Sequence, residues 1–307
     1  MSVSYHKPVL LDRVLELLRV DDCRVVVDCT VGDGGFSKAF LTRVPEIQIY
    51  GFDLDPEAME RAKQRLAAWS DRFHGFLGNF KDVDELIPPE VVGHVDAVVA
   101  DLGVSFLQLS EANKGFMFSE NGPLSMKMGP AIERDAFTVI NESTERELAD
   151  IFFHFGEERQ SRRIARAVVK QRQSAPVETT TDLAEIVRNV SRKDHVVKTL
   201  ARIFQALRIY VNDELTSLDH FLPRAISILR PGGRLAVLSY HSLEDRRVKR
   251  FIHAQEHPCT CPPQLPVCIC GKKPTCKNIT KLVRPDADEI KRNKSARSAR
   301  LRVVEKC

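Results

Sequence analysis

An α/β fold is predicted, with helices on both faces of a parallel sheet and an all-helical domain inserted into it. Three observations point there. Apolar runs of strand length alternate with helical patterns in the first third of the chain. The first two runs each end in an acid, Asp28 and Asp53, and frame a turn holding Gly32, Gly34 and Gly35. A fifth run follows only after about 130 residues of mainly helical pattern, where a βαβ crossover needs a few tens.

The elements follow in order. Val25–Asp28 is the first strand, and the glycines after it suit a strand-to-helix turn whose backbone must approach a ligand closely. Ile47–Asp53 is the second strand. Asp55-Pro56 then gives an N-cap followed by proline at the first helical position. Phe73–Leu77 and Val95–Leu102 are the third and fourth strands. Helical patterns at Glu145–Phe155, Glu158–Arg172, Thr181–Val190 and Lys198–Asn212 fill the interval beyond. Residues 106–212 are therefore expected as a helical insert, with 1–105 and 213–307 forming one discontinuous sheet domain. The sheet domain resumes with a helix at Asp213–Leu229, the turn Arg230-Pro231-Gly232-Gly233, and a fifth strand at Leu235–His241.

The glycine turn is the first chemical signal. It reads G-D-G-G-F-S, so Ser37 stands where a dinucleotide fingerprint has its third glycine. Asp53, at the end of the next strand, can accept hydrogen bonds from both hydroxyls of a ribose. NAD and S-adenosylmethionine both fit. The missing glycine and the Pro-Gly-Gly turn before a late strand favour S-adenosylmethionine. Asp101 ends the fourth strand and is followed by Gly103, at the strand ends that line the ligand crevice of a doubly wound sheet.

Bulk properties exclude little. The 307 residues are 43% hydrophobic and 29% charged, with a net charge of +4, too small to imply nucleic acid by itself. Arg159, Arg162, Arg163, Arg166, Lys170 and Arg172 nevertheless fall in one stretch without an acid, and seven basic residues crowd the tail from Lys291 to Lys306. Such runs are commonly solvated helix faces. No apolar stretch reaches membrane-spanning length and no secretory leader is evident, so a cytoplasmic protein without a membrane partner is expected.

Longer blocks are more specific. Asn79-Phe80, DLGVS with Gln108, GFMFSENGPLSMKM, FGEERQSRRIARAVV, FQALRIYVNDEL, PGGRLAVLSYHSLEDRRVKRF and NKSARSARLR occur in that order. From about His6 to Arg302 the chain closely resembles the MraW (RsmH) family of ribosomal small-subunit RNA cytosine-N4 methyltransferases. The resemblance implies a class I, Rossmann-like, S-adenosylmethionine-dependent methyltransferase. Its substrate would be the N4 exocyclic amine of a decoding-region cytidine in 16S ribosomal RNA within an assembled small subunit. Carried over, the cofactor contacts are Gly34, Gly35, Phe36, Asp53, Phe80, Asp101 and Gln108. Asp101 and His241 are the candidate catalytic residues, His241 to orient the substrate or relay its proton.

Phe106, Phe116, Phe118 and Tyr240 are candidate walls for an extruded base, with Ser242 and Asp245 expected to face the same crevice. Given an RNA substrate, Arg159–Arg172 and Lys291–Arg302 become candidate phosphate contacts. A homodimer is compatible with the chain. Attack by an amine needs no covalent enzyme adduct, and Asp101 lacks the following Pro-Cys pair of cytosine-C5 enzymes.

Several positions depart from the family pattern. Phe36 replaces a histidine, Phe106-Leu107 replaces Ser-Pro, and Ser110 replaces an acid. Ser125, Lys127 and Gly129 stand where the family has Asp, Arg and Asp. These departures motivate a second reading, a ribosome-binding assembly factor with weak or lost methyl transfer. An NAD-linked dehydrogenase is supported by the glycine turn alone.

Eight cysteines in a cytoplasmic chain argue against a disulfide framework. Cys259, Cys261, Cys268, Cys270 and Cys276 cluster, and paired C-x-C units could supply a thiolate site for zinc. A structural metal, reduced thiols and a transient disulfide all remain open.

Overall fold

The computed structural model describes residues 7–105, 108, 111–262 and 269–307. His6, Phe106, Leu107, Ser110 and Cys268 thus lie outside the described residues. The chain divides into two compact units, one of residues up to Gly103 with Thr216–Cys307, the other Val104–Leu215.

The first unit carries a seven-stranded sheet in the order β3-β2-β1-β4-β5-β7-β6. Its strands are β1 (Val25–Asp28), β2 (Gln48–Asp53), β3 (Phe73–Leu77), β4 (Val95–Asp101), β5 (Leu229–Ser239), β6 (Cys276–Asn278) and β7 (Arg300–Lys306). The first five run parallel, with Val26 opposite both Ile49 and Ala97, and Val99 opposite Ala236. Successive residues of a strand point to opposite faces. Val26, Ala97, Val99, Ala236 and Leu238 accordingly join one apolar cluster, while Val27, Val98, Ala100, Leu235 and Val237 join the other. Both faces are covered by apolar side chains, as a parallel sheet requires. Helix α1 (Leu11–Leu17) precedes β1, and α2 (Gly35–Arg43), α3 (Pro56–Arg65) and α4 (Val83–Leu86) fall between the early strands.

Two sequence expectations are corrected here. The fifth strand begins at Leu229 and ends at Ser239. Val95 pairs with Leu229 but Ala97 pairs with Arg234, so Arg230–Gly233 bulge within the strand instead of preceding it. Gly232 takes φ +77° there, and a Cβ on Gly233 would fall 2.9 Å from the Val95 carbonyl oxygen. The sheet is also not wholly parallel, because β7 pairs antiparallel with β5 and β6 pairs antiparallel with β7. The basic tail forms helix Ala287–Arg292, a turn at Lys294–Ser298 and β7, with Leu301, Val303 and Val304 buried, Arg300 and Arg302 paired with Asp245, and Lys291, Arg292, Lys294 and Arg297 exposed.

The second unit is helical. Its elements are α5 (Ala136–Glu142), α6 (Glu145–His154), α7 (Ser161–Arg172), α8 (Thr180–Val190) and α9 (Val196–Val211). Thr144 with Glu147, and Thr179 with Asp182, form reciprocal capping boxes that start α6 and α8. Leu148 and Phe152 on α6, Ile164 and Val168 on α7, Leu183 and Val187 on α8, and Ile203 and Leu207 on α9 share one core. Arg172 is absorbed structurally, donating at 2.6 Å to the carbonyls of both Ile140 and Ser143.

One buried side chain holds the G-P-L-S-M-K-M segment. Asn212 Oδ1 accepts from the Met128 N–H at 2.8 Å, and its Nδ2 donates to the Met126 carbonyl at 2.7 Å. Met126 is fully buried at φ +59°, a left-handed conformation that needs such support. Asn212→Ala would strand these backbone groups and is expected to cost about 3 kcal/mol. Urea unfolding checks this, and a loss under about 1 kcal/mol would show the segment is held otherwise.

Beyond the insert, α10 (Glu214–Ile228) leads into β5 and α11 (Ser242–Glu256) follows it, with α12 (Ala287–Arg292) before β7. Among the described residues, no helix is long and apolar enough to cross a membrane.

Candidate active site

Three neighbouring parallel strands, β2, β1 and β4, end in Asp53, Asp28 and Asp101. Carboxyl ends of such strands are where an open α/β sheet binds ligands. The Asp53 carboxylate is fixed by its own turn, accepting from the Gly32 N–H at 2.8 Å and from the Asp55 N–H at 2.9 Å. Asp28 is wholly buried and accepts from the Ser37 hydroxyl at 2.7 Å. Ser37, in the place of a third glycine, thus anchors the start of α2 to the end of β1. Asp101 Oδ1 accepts from the Tyr240 hydroxyl at 2.7 Å, and its N–H donates to Thr30 Oγ1 at 2.7 Å.

All three acids hold their protons more tightly than a free carboxyl. Burial drives each shift, to about 6 for Asp28, about 6 for Asp53 and about 7 for Asp101. Hydrogen bonds oppose the rise in every case, and nearby Asp28 and Glu244 add to it at Asp101.

The glycine turn supplies donors. Gly32 and Gly34 take φ +52° and +75°, and Gly34 caps α2 without any side-chain hydrogen bond. The Ser37 N–H in the first turn of α2 is taken by Asp28, and the helix dipole favours an anion at the N–H groups of Gly35 and Phe36. A Cβ on Gly35 would approach Pro8 Cγ to 2.6 Å, whereas one on Gly32 would meet open space. Arg61 Nε holds the Asp33 carboxylate at 3.0 Å and Arg65 donates to its carbonyl at 2.9 Å, which fixes the turn from α3.

These residues fit S-adenosylmethionine. The acids suit a ligand carrying sulfonium and ammonium charges and ribose hydroxyls, and the helix start suits its carboxylate. Phe80, in a turn started by the Asn79 side chain, is half-buried and meets Phe221 edge-on with 5.0 Å between ring centroids. Gln108 belongs to the helical unit, where it is buried and its Oε1 accepts from the Ser105 N–H at 3.1 Å.

Phe36 stands in the first turn of α2, where its ring is buried in the core and stacks on Phe40 with 6.2 Å between centroids. His241 is the N-cap of α11. Its Nδ1 accepts from the Glu244 N–H at 3.4 Å, while Glu244 Oε2 accepts from the Tyr240 N–H at 2.8 Å. Nε2 lies 3.1 Å from Glu244 Oε1 at an angle that makes no hydrogen bond. Asp245, expected at the crevice, is instead paired with Arg302 at 2.7 Å and Arg300 at 3.1 Å. Burial alone would raise its pKa, and the two arginines outweigh it and bring it below the ordinary carboxylate range. Phe116 is buried in the helical core, and Phe118 packs on Phe204 with 5.5 Å between centroids, so both act there as packing residues.

Thr30 and the Tyr240 hydroxyl were not anticipated as partners of Asp101. No spacing rule links residues 139 positions apart, although the short polar residue two places after a strand-ending Asp was a usable sign for Thr30.

Comparison with known proteins establishes the family. The MraW methylase family matches residues 3–307. A ribosomal RNA small subunit methyltransferase H of Carboxydothermus hydrogenoformans is 46% identical over 98% of this chain and 97% of its own length. Proteins of the same name from Syntrophobacter fumaroxidans and Desulfosudis oleivorans are 44% and 43% identical, each over 98% of this chain and over 96% and 98% of their own lengths. The chain belongs to the MraW methylase family and is an S-adenosylmethionine-dependent methyltransferase.

Proposed function

We propose that the chain methylates the N4 amine of a decoding-region cytidine in 16S ribosomal RNA of the small ribosomal subunit, in the cytoplasm. One observation carries the chemistry: Asp101 stands half-buried at the end of a central strand with Oδ1 held by the Tyr240 hydroxyl, where burial pushes its carboxyl up to about 7. A general base works best when its pKa lies near the working pH. The cofactor, when bound, supplies a methyl group already activated on a sulfonium. The attacking amine must then lose a proton. Asp101 Oδ1 is engaged by Tyr240, so Oδ2 is the atom we assign to receive it. Asp53 binds the ribose hydroxyls, the start of α2 at Gly34 and Gly35 binds the carboxylate, and Phe80 packs against the adenine. His241 acts as a positioning residue, since its capping bonds fix the loop that presents Tyr240.

The relatives' names support the RNA substrate. An arginine-lined cleft of about 510 Å³ in the helical unit supports it further. Arg159, Arg163, Arg192, Arg202 and His195 line the cleft, and the acid among them, Glu158, is buried and lies 3.4 Å from Arg202. The surplus positive charge suits phosphate oxygens.

The test uses labelled S-adenosylmethionine and small subunits lacking the modification, with the product mapped by nucleoside mass spectrometry. Label as N4-methylcytidine is expected. Label on another base, or on protein, would overturn the assignment, and subunit binding without incorporation would favour the assembly-factor reading. Reversing Arg159, Arg163 and Arg192 to Glu is expected to weaken subunit binding. It should also flatten the dependence of log affinity on log salt by about 0.7 to 0.9 per lost phosphate contact. An unchanged slope would remove the cleft from the interface.

A further inference from the structure

The segment between α11 and β6, residues 257–275, has no helix or strand among its described residues, and none of those residues is buried. Ile269 stands 78% exposed. The ends are nonetheless tied together. The Thr275 N–H donates to the Gln255 carbonyl at 3.2 Å, and the Asn278 N–H donates to the Glu256 carboxylate at 2.6 Å. Ordering such a loop costs conformational entropy that apolar burial among its described residues does not offset.

Three sulfurs converge in that segment. The Sγ atoms of Cys259, Cys261 and Cys270 all lie within 4.8 Å of one another. Two thiolates on one tetrahedral zinc ion stand about 3.8 Å apart, from Zn–S bonds of about 2.3 Å. Gly271 follows Cys270 at φ +65° with open space around it, so conformation and not room calls for glycine there. A residue in this left-handed state turns the chain back immediately after a sulfur. Cys276, by contrast, is buried in β6 and is no member of the group.

We propose that Cys259, Cys261 and Cys270 form a structural zinc site that staples the loop between α11 and the edge strand β6. Soft thiolates select zinc over magnesium or calcium. Each thiol gives up its proton to solvent as its sulfur binds the metal. Zinc is four-coordinate, so one position remains for a further donor. The site lies outside the cofactor residues and has no part in methyl transfer.

The test starts with full-length protein purified from cytosol under reducing conditions without chelator. About one zinc per chain is expected. A C259S/C261S variant should lose the metal, and C307S, at an exposed cysteine elsewhere, should keep it. A second measurement covers the case in which the double variant fails to fold. In wild-type protein, a strong chelator should expose Cys259, Cys261 and Cys270 to alkylation while S-adenosylmethionine still binds. Cobalt replacing the zinc should give thiolate charge-transfer absorption and the visible bands of a tetrahedral ion. Less than about 0.2 zinc per chain, iron with acid-labile sulfide, a disulfide among the three cysteines, or full zinc content in C259S/C261S would each overturn the proposal.

Discussion

Replacing Asp101 with Asn is expected to lower kcat by about 10²- to 10⁴-fold, the range lost when a positioned base is removed. Asn keeps the size of the side chain and can still pair with Tyr240, so affinity for S-adenosylmethionine should change less than about tenfold. In the wild-type protein the proton acceptor must be ionised. Activity should therefore rise with pH through about 7, where Asp101 loses its proton. The Tyr240 hydroxyl bond favours the ionised form, so Tyr240→Phe should move that midpoint to higher pH. A merely structural Tyr240 would lower activity without shifting the profile. A D101N enzyme within about threefold of wild type would remove Asp101 from proton transfer.

The largest expected loss of stability lies at the junction of β5 and β7. Arg234 and Glu305 face one another across the two strands, both nearly buried. Arg234 gives two bonds to Glu305 Oε2, at 2.9 and 2.8 Å, and a third at 2.6 Å to the Leu17 carbonyl. Glu305→Ala would leave a guanidinium buried without its counterion, at a cost of about 3 to 5 kcal/mol. An apolar pair, R234M/E305L, should recover much of that loss, because the penalty comes from the unpaired charge. Urea unfolding of both variants distinguishes the two outcomes, and a single variant costing under about 1 kcal/mol would refute the assignment. The pair also sets a pH dependence. Bonds from Lys277 and Arg234 hold the Glu305 pKa below its ordinary 4.5. Its contribution is complete above that value and is lost as pH falls through the lower folded one.

The sheet was legible where strands are short, apolar and end in an acid. Val25–Asp28 and Phe73–Leu77 match the sequence expectation residue for residue, and Asp53 and Asp101 stand at strand ends. β7 was hidden by its charges. Arg300 and Arg302 read as a basic tail because their partner, Asp245, lies on a distant helix, and composition says nothing of such pairing. Phe36 carried a sign that the glycines beside it obscured: Phe40 lies four residues on, the spacing of one helix face, and both are in the core. His241 carried another, since a glutamate three residues later is the mark of a capping box. The Asp101, Tyr240 and Thr30 group was invisible because only the assembled sheet brings its members together.

The interruption of the sheet has a kinetic consequence. β4 and β5 are neighbours, yet the whole of Val104–Leu215 separates them in the chain. Their pairing has high contact order, and loop closure must precede the contacts that reward it. The insert holds its own apolar core of sequence-local helices, which form faster than long-range strand pairs. During synthesis, the helices can therefore consolidate while four strands wait, and assembly of the sheet is paced by the late arrival of its fifth.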